Sequence, residues 1–136
     1  MTEQKKYFQL LLDVALPFAK RMLEGESEFI PFGAILKDDS NIALVAGDVG
    51  SERPSSQRVV DFLMASFKEQ KQQGNLAAAV ICFMGIVSQQ DVAVFRMSHA
   101  TGDKLDVFLP YEITQEKKLI LGKIFASKGV ANFLND

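Results

Sequence analysis

The run Leu76–Val87 constrains this chain more than any other feature: twelve residues, LAAAVICFMGIV, without a charge and with small, β-branched and aromatic side chains at both alternating positions. A strand with one polar alternation can turn that face to water, whereas one that is apolar at both cannot. The segment therefore predicts a central strand covered on both sides, or nearly so. It also falls short of the roughly 20 apolar residues needed to cross a bilayer, and no longer apolar run exists, so a soluble chain with no membrane partner is expected.

The flanking segments supply helices and further strands. Over residues 3–23, Phe8, Leu11, Leu12, Ala15, Phe18, Ala19 and Met22 recur in steps of three and four, the spacing of an amphipathic helix. Pro17 lies inside that pattern and removes the hydrogen bond to the Asp13 carbonyl, which predicts a kink or two shorter helices before Gly25 ends the segment. Residues 29–37 and 41–46 are short apolar runs separated by Asp38, Asp39 and Ser40, a pattern for an antiparallel hairpin. After a loop at 47–56, Ser55 or Ser56 is positioned to cap a second helix whose apolar side reads Val59, Phe62, Leu63 and Phe67, with Gly74 and Asn75 closing it.

Beyond the central strand, a turn at 88–90 precedes a strand over 92–97, and a turn around Gly102 precedes another over 105–109 that Pro110 is expected to stop. Residues 119–125 read as one more strand, and 130–134 as a short helix or strand. This order does not alternate as a doubly wound fold must. It predicts a single α+β domain over residues 1–136, with a mostly antiparallel sheet of five to six strands and two main helices packed on one face.

Composition narrows the function classes. A chain of 136 residues that is 48% apolar can build one good core. Fifteen basic and seventeen acidic side chains, with no long block of either sign, lack the concentrated positive surface that nucleic acid requires. The single cysteine, Cys82, cannot form an intramolecular disulfide, and the first 25 residues lack the pattern of a secretory signal. A cytoplasmic location is the expectation.

No group of residues defines a catalytic site, a metal site or a cofactor. His99 is the only imidazole, and Asp103, Asp106 and Glu112 near it have no metal-ligand spacing. Cys82 lies in the most apolar stretch of the chain, where burial disfavours a nucleophilic thiolate. The loop Gly47-Asp48-Val49-Gly50-Ser51-Glu52-Arg53 lacks the spacing and the lysine of a phosphate-binding loop, and its acids repel anions. Asp38 and Asp39 fit turn chemistry, because adjacent carboxylates on a strand point apart.

The binding candidates are apolar. Phe29-Ile30-Pro31-Phe32-Gly33 sets two aromatic rings around a proline at a strand entrance, and Leu109-Pro110-Tyr111 is a second segment of the same kind. Together with the N-terminal helix and the turn at Gly102, these segments resemble, over most of the chain, a group of small bacterial α+β proteins that have an F-x-P-F-G strand entrance and no assigned activity. The resemblance implies a fold and carries no catalytic residue onto this sequence. In form alone the chain is also similar to small immunity proteins.

The leading expectation is a non-catalytic interaction protein that binds a protein partner, or itself as a homodimer, through an exposed sheet edge or the Phe-rich lip at Phe29, Pro31 and Phe32. The alternative is a small enzyme or ligand-binding domain with a pocket against the first helix, lined by Phe29, Phe32, Arg96, His99 and Tyr111. In that pocket Arg96 would hold an anion and His99 would move a proton. Strict alternation puts Arg96 and His99 on opposite faces of their strand, so the pocket requires a bulge or a turn beginning before His99.

Overall fold

The computed structural model describes residues 3–26, 30–37, 41–46, 55–129 and 133–134. The chain runs α1 (Glu3–Glu26), β1 (Phe32–Lys37), β2 (Ile42–Ala46), α2 (Ser56–Gln72), β3 (Leu76–Val87), β4 (Gln90–His99), β5 (Lys104–Ile113), β6 (Leu119–Leu121) and β7 (Phe125–Ser127). The strands form a sheet in the order β2-β1-β3-β4-β5-β6, with β7 also on β5, and every pairing is antiparallel. The fold is α+β, with both helices packed against the sheet.

The helices do not share a face. One face of the sheet presents Phe32, Ala34, Ala78, Val80, Phe95 and Met97 to the α1 stripe Phe8, Leu11, Ala15, Ala19 and Leu23. The other presents Ile35, Ala79 and Ile81 to Val59, Val60, Leu63 and Phe67 of α2, with Phe133 and Leu134 beside them. This corrects the expected one-sided arrangement, and the reason lies in β3. Its two apolar alternations need cover on both sides, so one helix layer would have left Ala79 and Ile81 in water.

Small residues set the spacing between layers. Ala15 and Ala19 of α1 and Ala34 and Ala78 of the sheet belong to one core cluster, all fully buried. On the opposite face Gly33 lies under Phe67: a Cβ there would stand 2.6 Å from Phe67 Cζ and 2.9 Å from the Val80 carbonyl oxygen. Ser55 caps α2, its Oγ accepting the Arg58 N–H at 3.2 Å, a bond worth about 1 kcal/mol. The buried side of α2 includes Val60, whereas Phe62, expected there, is 44% exposed.

Pro17 does not split its helix, and Pro110 does not stop its strand. α1 is one uninterrupted helix, because Pro17 and Asp13 both lie on its exposed side, where water can take the released carbonyl. β5 continues through Pro110 to Ile113. The Pro110 carbonyl accepts the Gly122 N–H at 2.8 Å, so the proline nitrogen also points away from β4 and removes nothing from the β4–β5 ladder.

The strand expected at 119–125 is present in two pieces. From Tyr111 back to Phe108, β5 takes three steps, while the facing chain takes four from Leu121 to Phe125. The extra residue is a bulge between β6 and β7. It falls where Gly122 packs on Pro110, a Cβ at Gly122 standing 2.9 Å from Pro110 Cβ. The expected turn acids Asp38 and Asp39, the loop at 47–54 and Phe29 lie outside the described residues, as does most of 130–134.

Replacing Gly33 by Ala should destabilise the fold by roughly 1 to 3 kcal/mol, because Phe67 and the Val80 carbonyl must both give way. Urea denaturation checks this; a midpoint unchanged from the parent chain contradicts the packing of α2 on β1.

Candidate binding groove

The structure scatters the residues that sequence brings under suspicion. β4 pairs with β3 and β5 in unbroken register and runs as strand through His99, without the bulge or the earlier turn that a shared Arg96–His99 pocket requires. Arg96 consequently sits on the α2 side of the sheet and His99 on the α1 side. Phe32 and Tyr111 share the α1 side with His99, but Phe32 is level with Phe95 on β4, and Tyr111 lies towards the opposite end of the sheet beside Leu121. Pro31 and Phe32 are buried, and Phe32 makes an edge contact with Phe18 at 4.7 Å. The lip is thus turned into the core at these two residues.

Arg96 is engaged by its neighbours. Its Nε and one terminal nitrogen each donate to an Asp106 carboxylate oxygen at 3.2 Å, and its guanidinium lies 5.2 Å from the centre of the Phe83 ring. Asp106 is buried at 2% exposure, so the two-pronged bond supplies the cationic partner that such a carboxylate needs.

His99 is built into the β4–β5 turn. The Thr101 backbone N–H donates to Nδ1 at 3.1 Å, with Thr101 Oγ1 2.8 Å from the same nitrogen. An acceptor at Nδ1 places the proton of the neutral ring on Nε2. Tyr7 of α1 stacks on the imidazole at 5.1 Å with the rings 8° from parallel, and the residue is only 6% exposed. The histidine thereby joins the turn to the helix.

Cys82 is buried at the centre of β3, and desolvation raises its thiol well above the usual range. Among the described residues no three His, Cys, Asp or Glu side chains are grouped to hold a metal ion. Nor, among them, is any helix long and apolar enough to cross a membrane.

An open site does exist where α1 leaves β5 and β7 uncovered. A groove of about 320 Å³ runs between Phe8, Gln9 and Leu12 of α1 on one side and Ile124, Phe125 and Ala126 on the other, with Met97, Leu105 and Val107 as its floor. Gln9 is the only polar residue of the lining among the described residues, and its amide is drawn along the helix to Asp13 Oδ1 at 2.7 Å. Ile120, Leu121, Ile124 and Phe125 are all large apolar residues left exposed. The bulge between β6 and β7 is what brings Ile124 to the rim. In the sequence the extra residue within 119–125 has no signal other than Pro110 and Gly122.

No protein-family model, curated protein or solved structure matches this chain. The reading of the groove rests on its own geometry and chemistry.

Because the Cys82 thiol is both enclosed and held protonated, a disulfide reagent such as Ellman's should leave the native chain unlabelled and react stoichiometrically once urea unfolds it. Rapid labelling in native buffer would contradict the closed position of β3.

Proposed function

We propose that this chain is a non-catalytic interaction protein that holds an apolar segment of a protein partner in the groove between α1 and the β5–β7 edge. The observation that carries this reading is Ile124, 39% exposed on the rim of a groove whose described lining has one polar residue, with exposed Leu121 on the same face of the neighbouring strand. Exposed apolar side chains scattered singly are ordinary, but those on the rim of an apolar concavity mark a surface that gains by being covered. At about 25 cal/mol per Å2, covering about 100 Å2 of apolar surface contributes roughly 2.5 kcal/mol before the cost of association.

The chemistry of the lining favours binding over turnover. Arg96, His99 and Cys82, the side chains with most capacity for reaction, are respectively paired with Asp106, stacked under Tyr7 and enclosed in the core. None of the three lines the groove. The lone buried thiol also suits a reducing compartment, which supports a cytoplasmic location.

The test uses an apolar dye as the probe. Bis-ANS should brighten on the native chain, and Ile124→Lys should cut the enhancement at least threefold while leaving the melting temperature within a few degrees, since Ile124 is 39% exposed. A native chain that leaves the dye dark, or an Ile124→Lys variant that brightens it equally, overturns the reading.

A further inference from the structure

We infer that β2 is a self-pairing edge, and that two copies of this chain join through it into one continuous antiparallel sheet with Leu44 at the two-fold axis. This inference uses a different surface from the groove and does not depend on it.

The direction of the β2 backbone groups follows from one hydrogen bond. The Lys37 N–H donates to the Asn41 carbonyl at 2.8 Å, closing the β1–β2 hairpin. In an antiparallel ladder, hydrogen-bonded and non-hydrogen-bonded pairs alternate. Counting from Lys37 and Asn41 along the pairs Leu36↔Ile42, Ile35↔Ala43, Ala34↔Leu44 and Gly33↔Val45, the N–H and C=O of Ala43 and Val45 point to β1. Those of Ile42, Leu44 and Ala46 point outward, where no described strand meets them.

Those three residues are evenly spaced about Leu44. A second copy running antiparallel can place its Leu44 opposite this one, its Ala46 opposite Ile42 and its Ile42 opposite Ala46. Every outward donor then meets an outward acceptor. The strand, Ile-Ala-Leu-Val-Ala, carries no charge to repel its own copy and no proline to interrupt the ladder. Leu44, 47% exposed, would lie beside its equivalent and lose much of that exposure.

The opposite edge of the sheet is protected in ways that β2 is not. β6 and β7 are three residues each, the bulge separates them, and exposed Lys117, Lys118, Lys123 and Lys128 surround them. Short strands, bulges and lysines are how sheets discourage edge pairing. A five-residue strand spans about 17 Å, so the interface belongs to the weak class below roughly 1,200 Å2, and the dimer should form in the micromolar range.

Sedimentation velocity over a micromolar concentration series tests the inference on the full chain. The parent should pass from monomer to dimer. Leu44→Lys, which sets a charge against itself, should raise the dissociation constant at least tenfold. Leu44→Pro, which removes an outward N–H and no β1 bond, should do the same, while circular dichroism shows both variants folded. Amide exchange at Ile42, Leu44 and Ala46 should slow as the parent concentration rises. A parent that stays monomeric throughout overturns the inference. So does a dimer that survives Leu44→Lys, and if Ile124→Lys dissociates that dimer, the groove is its interface.

Discussion

β3 has no polar face, and over its buried stretch, Leu76–Cys82, it needs both surfaces dry, while Ile86 near its end stands 73% exposed. That requirement places β1 and β4 at its sides, α1 above it and α2 below. The chain meets it by connectivity: β1 and β2 form a hairpin, α2 crosses the face that α1 leaves open, and β3 returns beside β1. Fully burying a Val, Leu, Ile or Phe contributes about 1.5 to 3 kcal/mol, so the layers on either side of β3 outweigh local departures such as Pro17 within α1.

Those departures show where sequence reading succeeds and where it stops. Element type was legible wherever one period dominated: the α1 stripe, the Ser55 cap, the β1–β2 hairpin and the bounds of β3 all follow from side-chain pattern. Choices between near-equivalent patterns were not. Val60 and Phe62 both fit an apolar side for α2, and only the position of the helix over Gly33 turns Val60 inward. Pro110 reads as a strand stop because a single sequence does not show which way its nitrogen will point. The opposite faces of Arg96 and His99, by contrast, were already implied by their spacing, and the unbroken β4 register leaves that spacing intact. The groove was illegible because it depends on a one-residue offset between β5 and the chain that follows it.

The two edges of the sheet differ in kind. At the β5 side, bulge and lysines break up the backbone ladder and the exposed material is side chain: Ile120, Leu121, Ile124 and Phe125. At the β2 side the proposed contact is chiefly backbone, the outward-facing peptide groups of Ile42, Leu44 and Ala46, with the exposed Leu44 side chain beside them. Side-chain surfaces choose partners by shape and apolarity, whereas backbone edges choose them by register. The two proposed surfaces thus differ in the form of recognition they use and lie at opposite ends of the sheet.

The stacking of Tyr7 on His99 joins residues far apart along the chain. During synthesis α1 is complete well before β4 exists, so its apolar stripe cannot find its full floor until the chain has been made as far as His99. At ordinary elongation rates that interval is on the order of 4 to 15 s. The longest helix of the fold is thus also the element that waits, and during that interval its apolar residues are exposed to whatever else in the surroundings can cover them.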